Sequence, residues 1–231
     1  MSKFAEILAV ARREGRKSLL EHEAKAICQD YGIPVTKFEL AGNGAEAARL
    51  AEDIGFPVVL KIISPDIVHK SDVGGVMVDL KTTSEVKRAY RAIQAEVKRH
   101  RFGAKLSGML VQEMAPPSTE VIVGAIRDNQ FGPTLMFGLG GIFVEVLKDV
   151  AFRVAPVIRP EAELMISEIK GYPVLKGYRN QLPLDTSAIA DIIVNTSKIM
   201  MEHTEIKELD LNPVIVYKKG AKTVDARIIL E

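Results

Sequence analysis

The chain has 231 residues, 47% of them hydrophobic, which is enough to bury a substantial core as one large domain or two lobes. Its 31 Lys and Arg offset 30 Asp and Glu to a net charge of +1, so no global field favours nucleic acid or an anionic membrane, and any anion site is local. The single cysteine, Cys28, rules out an internal disulfide and suits a reducing cytoplasm; apolar runs are short and broken by charge, and the N-terminal stretch, with Glu6 and Glu14, lacks the apolar centre of a signal peptide. The expectation is a cytoplasmic protein with no membrane span.

In chain order, Ser18 and Glu21 read as a capping box ahead of a helix with Leu20, Ala24, Ile27 and Tyr31 on one face, ended by Gly32 and Pro34. A strand around 35–40 follows. Asn43 and Glu46 open a second helix with Ala47, Leu50, Ala51 and Ile54 inward, and Gly55 and Pro57 end it before the β-branched run that carries Lys61. Val76 to Leu80 reads as a strand, and Thr82 with Glu85 caps a helix whose Val86, Tyr90, Ile93 and Val97 recur at helical spacing. The apolar segment from Gly108 to Met114 ends at Pro116-Pro117, a stiff break that divides the chain into subdomains 1–115 and 116–231. Beyond it, strands are expected at 120–126, 134–137 and 150–154 in an antiparallel sheet. Helices are expected at 161–170 and 187–201, and strands near 206–211 and 222–226.

The candidate chemistry starts at Lys61. The strand places a fixed cation, and Pro65, Gly74 and Gly75 leave the residues between them, His69 among them, in an exposed loop. Neutral imidazole can carry a phosphoryl group, and amides around Gly74 and Gly75 can approach phosphate oxygens, so a fixed cation beside a movable imidazole suits phosphoryl transfer. Taken alone, His69 reads more readily as a solvated surface histidine, and the rest of the chain shifts that balance. Near the C-terminus, period-two alternation puts Glu208, Asp210 and Asn212 on one face and Leu209 and Leu211 on the other, as a half-buried edge strand also does. Asp225, on a neighbouring strand, is placed to face the same cavity, and hard oxygen ligands on two strands suit a Mg²⁺ that bridges nucleotide phosphates. The 110–116 segment offers an apolar wall for adenine, with Glu113 and Glu120 as acceptors for adenine or ribose groups. The glycine-rich run 137–145 matches neither the dinucleotide fingerprint nor a P-loop and reads as a tight turn; Arg153 is a phosphate contact or a surface salt bridge.

Five segments carry a family resemblance: Tyr31-Gly32-Ile33-Pro34-Val35, the stretch Gly55-Phe56-Pro57-Val58-Val59-Leu60-Lys61, the stretch His69-Lys70-Ser71-Asp72-Val73-Gly74-Gly75-Val76, the run from Met136 to Glu145, and Glu208-Leu209-Asp210-Leu211-Asn212-Pro213. On these the chain resembles ATP-grasp proteins over nearly its whole length, and within them the β subunits of archaeal ADP-forming acyl-CoA synthetases. The resemblance implies an α/β (α+β) ATP-grasp fold, two α+β subdomains clasping a nucleotide. It also implies the reversible reaction of acyl-CoA, ADP and phosphate to give carboxylic acid, CoA and ATP.

By the same resemblance His69 is a phosphohistidine on a swinging loop, and Asp210 positions the phosphorylated ring. Lys61, Gly74, Gly75, Glu113 and Glu120 belong to the ATP/ADP site, and Asn212 and Asp225 are Mg²⁺ ligands. CoA recognition then belongs to a CoA-binding α subunit in an α2β2 heterotetramer, since no dinucleotide-type strand, glycine turn and helix exists here to host it. That subunit is expected to cover apolar surface around the histidine loop. Two other readings stand beside this one. The first is a free-standing ATP-grasp carboxylate ligase in which His69 only contacts phosphate. The second is a non-catalytic ATP-binding regulatory module.

Overall fold

The computed structural model describes residues 2–67, 69–100, 102–141, 144, 146–178 and 182–231. The chain forms two compact units, one from Thr36–Ala115 and the other from Met1–Val35 together with Pro116–Glu231. The break at the two prolines coincides with a unit boundary. The first 35 residues, however, belong with the C-terminal half and not with the 36–115 unit. The cause is long-range: Leu19 N–H donates to the Ile228 carbonyl at 2.9 Å and Leu230 N–H to the Lys17 carbonyl at 2.8 Å, while Phe4 stacks on His203 with ring centroids 3.7 Å apart.

The 36–115 unit contains β1 (Phe38–Ala41), α3 (Gly44–Ile54), β2 (Val58–Ile63), a single 3₁₀ turn (Ser71–Val73), β3 (Val76–Leu80), α4 (Thr83–His100) and β4 (Gly108–Glu113). Its sheet runs β1-β4-β2-β3 with every pairing antiparallel. Alternation along the strands puts Leu60, Ile62, Met109 and Val111 on the face that packs against Ala47 and Leu50 of α3 and Val86, Ile93 and Val97 of α4. Both helices start where the sequence predicts. Asn43 Oδ1 accepts the amides of Ala45 and Glu46 at 3.1 and 3.0 Å, and Thr82 Oγ1 accepts that of Glu85 at 3.2 Å.

The other unit opens with α1 (Lys3–Arg13) and α2 (Glu21–Asp30). The sequence reading had no counterpart to α1, whose Phe4, Leu8 and Ala11 are buried at helical spacing. Nor do Ser18 and Glu21 form the capping box: the helix starts at Glu21, and it is Glu23 Oε2 that accepts the Leu20 amide at 2.7 Å. After the prolines come β5 (Thr119–Asp128), β6 (Gly132–Leu139), β7 (Val150–Val154), α5 (Arg159–Glu168), α6 (Tyr172–Leu175), α7 (Thr186–Glu202), β8 (Ile206–Val216), β9 (Ala221–Thr223) and β10 (Ala226–Leu230). The strands form an antiparallel sheet in the order β10-β8-β5-β6-β7, with β9 paired to one end of β8. One face, including Val123, Phe137, Leu209 and Leu211, is buried on Ile192 and Ile193 of α7, Met165 of α5 and Ile27 of α2. The opposite face is free to carry chemistry. Among the described residues no helix is long and apolar enough to cross a membrane.

Candidate functional site

In the 36–115 unit the site is built from β2. All six residues of this strand are buried, and Lys61 lies at its middle, 6% exposed, paired with Leu110 on one side and Val76 on the other. A cation held this way does not move with solvent. The loop that follows is closed at its neck, where Ile62 N–H donates to the Gly75 carbonyl at 2.7 Å and Gly75 N–H donates to the Lys70 carbonyl at 2.8 Å. Ile67 and Val73 are buried in the core of the unit, and His69 stands exposed between these two anchors. Asp66 fixes the near side, its carboxylate accepting the Lys105 amide at 2.7 Å. The loop thus presents one imidazole outward on a base pinned at both ends.

Two expectations about this loop change. The amides of Gly74 and Gly75 are not available to a phosphate, because Gly74 N–H donates to the Ser71 carbonyl at 3.2 Å and Gly75 N–H is spent on Lys70. Both glycines are there for shape. Gly74 has φ +64°, and a Cβ at Gly75 would lie 2.6 Å from Ile62 Cγ2. The second concerns apolar surface at the loop: Ile67 and Val73 are buried, and among the described residues it is Phe102 and Leu106, 88% and 39% exposed, on the stretch that bonds to the loop, that are open.

Glu113 ends β4 and is engaged locally, its Oε1 accepting the Lys37 amide at 2.7 Å. Glu120, in the other unit, has an exposed side chain, and its carbonyl accepts the Gly140 amide at 2.8 Å. A Cβ on Gly140 would meet that of Glu120 at 3.0 Å, which explains the glycine in this run. Of the same run, Ile142, Phe143 and Glu145 lie outside the described residues, as does Val68 of the histidine loop. Arg153 pairs with Glu168, so it is a surface ion pair and not a free phosphate ligand.

The carboxylates of the other unit gather on the open face of its sheet. Asp210 sits between Gly124 of β5 and Arg227 of β10 in cross-strand register. Burial raises its carboxyl pKa to about 6; Arg227 pulls it down, while Glu208 and Asp225 push it further up. Glu208 is held by Arg227 at 2.5 Å. A cavity of about 290 Å³, floored by Gly124, Met136 and Phe152, opens beside Asp210 and Glu208. Asn212 lies two residues on, and its amide donates to the Asp225 carbonyl at 3.2 Å. The sequence reading placed Asp225 within a strand; it occupies the link between β9 and β10. The pairing of Arg227 with Glu208 has no counterpart in the sequence reading, which places Glu208 on the strand face of Asp210 and Asn212 and says nothing of Arg227.

The donor set fits a magnesium ion that is shared with phosphates. Among the described residues, no three His, Cys, Asp or Glu side chains are placed to hold a metal by themselves, and Mg²⁺ characteristically takes one or two carboxylates plus phosphate and water oxygens. Asn212 and Asp225 are neighbours through their backbone bond, and both carry hard oxygens of the kind Mg²⁺ takes.

Residues 10–230 match the model of the ATP-grasp domain family. Over 230 residues the chain is 50% identical to the acetate–CoA ligase [ADP-forming] I subunit beta of Pyrococcus furiosus, covering 100% of this chain and 99% of that one. Among solved structures, the dinucleotide forming acetyl-coenzyme A synthetase 1 of Ca. Korarchaeum cryptofilum in complex with coenzyme A and Ca-AMPCP superposes with a TM-score of 0.95 at 56% identity, covering 98% of this chain and 99% of that chain. A second structure of that enzyme, with coenzyme A and Mg-AMPPCP and its phosphohistidine segment pointing towards the nucleotide binding site, covers 100% of both chains with a TM-score of 0.89 at 53% identity. The chain belongs to the ATP-grasp family and, within it, to the β subunits of ADP-forming acetate–CoA ligases. The fold class and the resemblance drawn from the five sequence segments both hold.

Proposed function

We propose that this chain is the nucleotide-handling β subunit of an ADP-forming acyl-CoA synthetase, an acid-thiol ligase. It completes the reaction acyl-CoA + ADP + phosphate = carboxylic acid + CoA + ATP by relaying a phosphoryl group through His69. The observation that carries this reading is the exposure of one imidazole between the buried anchors Ile67 and Val73, on a loop that leaves the strand of Lys61.

Phosphoryl transfer to ADP breaks the P–N bond on the imidazole and forms a P–O bond to the terminal phosphate of ADP, returning the lone pair to the ring nitrogen. The reaction needs alignment and charge neutralisation more than it needs an acid or base. Lys61 supplies a fixed positive charge for phosphate oxygens. Asp210 accepts the N–H of the other ring nitrogen, which fixes the tautomer and stabilises the imidazolium form. Asn212 and Asp225 hold Mg²⁺, whose chemistry here is neutralisation of phosphate charge. Glu113 and Glu120 belong to the adenine and ribose region, and Gly74 and Gly75 act by shaping the loop. CoA and the acyl group are handled by a separate CoA-binding α chain, in an α2β2 assembly located in the cytoplasm. The exposed His69 also favours this relay over a free-standing ligase, where the imidazole has no second partner to visit.

The test is labelling. The purified chain with Mg²⁺ and γ-labelled ATP acquires acid-labile, alkali-stable label, and His69→Ala abolishes it. Label that persists in the variant excludes His69 as the carrier.

A further inference from the structure

Three cavities of about 550, 140 and 380 Å³ follow one another along α4, joined through the shared wall residues Tyr90, Gln94 and Leu106. Together they make a groove within the 36–115 unit that the phosphoryl chemistry does not use. Its charge is one-sided. Lys87, Arg91 and Lys98 line it at helix positions i, i+4 and i+11, a single side of α4 spanning about 16 Å, and among the described residues no carboxylate is in the lining, Glu46 at one end being spent on the Gly42 amide at 2.8 Å. The two glutamates of α4 are occupied elsewhere, Glu85 on the Lys81 amide at 2.7 Å and Glu96 on Arg99 at 2.7 Å. At one end of the groove the cations give way to Phe102, 88% exposed.

The shape argues against a compact anion. The end of α3 that meets the groove has its amides capped by Asn43, so the positive charge sits on three side chains strung along a helix. A row of cations ending in an apolar knob matches a polypeptide segment with spaced carboxylates and one large apolar residue. The position of the groove indicates whose segment it is. The 102–108 stretch that forms its far wall is bonded to the histidine loop through the Lys105 amide on Asp66 at 2.7 Å, and to the end of β2 from which that loop leaves through the Ser107 amide on the Ile63 carbonyl at 2.8 Å. On the other side, Gly74 of the loop packs on Glu96 of α4. Whatever fills the groove therefore grips the base from which His69 projects.

We infer that this groove is a docking site for an acidic, apolar-tipped segment of the CoA-binding partner chain, and that occupancy holds the histidine loop in register with that partner. The inference rests on the relay proposed above, because it takes the partner from there. Lys87, Arg91 and Lys98 act in recognition and touch no reacting atom.

The experiment measures binding of the full chain to its CoA-binding partner at roughly 50 and 300 mM salt, a range over which exposed charge pairs are progressively screened. Reversing the three cations (K87E, R91E and K98E together) is expected to weaken binding about tenfold or more at low salt and to flatten the salt dependence, and Phe102→Ser to weaken it severalfold. Labelling of His69 from ATP in the free chain is expected to be unchanged in both. If charge reversal impairs labelling, the neutral K87Q, R91Q and K98Q combination decides by the same comparison. Wild-type affinity and salt slope in the cation variants overturn the groove and leave the relay standing. Failure of the wild-type chain to bind a CoA-binding partner at all overturns the partner, and this inference with it.

Discussion

The amide of Asn212 donates to the carbonyl of Asp225 at 3.2 Å, and with the Val224 amide on the Pro213 carbonyl at 2.9 Å this bond sets the two candidate magnesium ligands next to each other beside the middle of β8. Neither residue supplies enough oxygens alone, so the pair is expected to act only when phosphate completes the shell. Asn212→Ala with Asp225→Ala is expected to weaken ATP binding about tenfold or more in Mg²⁺ and to leave binding in EDTA unchanged, read by titration calorimetry. Equal loss in both conditions shows that the residues support the fold and not the metal.

Lys61 and His69 lie on one continuous segment but are expected to fail differently. Lys61 is buried in a strand centre and His69 exposed on the loop, so the first serves binding and the second transfer. Lys61→Met, which keeps most of the side-chain volume, should reduce nucleotide affinity about tenfold or more through the lost charge. His69→Ala should bind ATP within about twofold of wild type yet accept no label. A His69→Ala chain that no longer binds nucleotide would falsify this division of labour.

The two loop glycines are unequal. A methyl at Gly75 meets Ile62 Cγ2 at 2.6 Å and the Lys70 carbonyl at 2.8 Å, so it pushes on the neck of the loop. Gly75→Ala is expected to cost about 1–3 kcal/mol in urea unfolding and to lower the rate of His69 labelling. Gly74→Ala carries a backbone cost of about 1 kcal/mol from φ +64° and presses on Glu96 at 3.2 Å. Gly15→Ala is the control, with φ +66° and nothing within 4 Å: it should show the backbone cost and no labelling defect.

Local signals survived well. The caps at Asn43 and Thr82, the strand of Lys61 and the alternation around Asp210 are all set by residues a few positions apart, so they were legible. What was lost depends on distant partners. The first 35 residues join the C-terminal unit through Phe4 on His203 and the bonds to β10, pairings no local window contains, whereas α1 itself carries a local signal, the Ser2 cap and Phe4, Leu8 and Ala11 at helical spacing, that the sequence reading passes over. The final strand was misread for a different reason. β9 and β10 pair with β8 in one unbroken register, bridged by the Asn212 amide on the Asp225 carbonyl and the Val224 amide on the Pro213 carbonyl, and only Val224 and Asp225 between them leave strand geometry. The pairing of Arg227 with Glu208 is likewise a product of that register. The glycines of the loop are visible in the sequence, but that their amides bond to Ser71 and Lys70 follows from the closure of the loop, which no residue type announces.

Asp185 ties α7 to the turn after β8. It caps the helix, with Oδ1 accepting the Ala188 amide at 3.0 Å, and Oδ2 accepts the Gly220 amide at 2.7 Å. These bonds favour the ionised form, so the Gly220 and Ala188 amides, helped by Arg159, hold its carboxyl pKa below the usual 3.8. A carboxyl depressed in the folded state stabilises the fold above its unfolded pKa, and that stabilisation is lost as the pH falls through the folded value. Asp185→Ala is therefore expected to cost about 1–2 kcal/mol in urea unfolding at neutral pH, the usual worth of a cap with a charged second bond. The gap to wild type should narrow once the pH drops below about 3.8. Asp185→Asn keeps one acceptor and loses the charge, so it should fall between the two at neutral pH. A wild-type advantage that stays constant down to the acid transition shows that the bonds act without the ionisation, and removes the electrostatic part of this account.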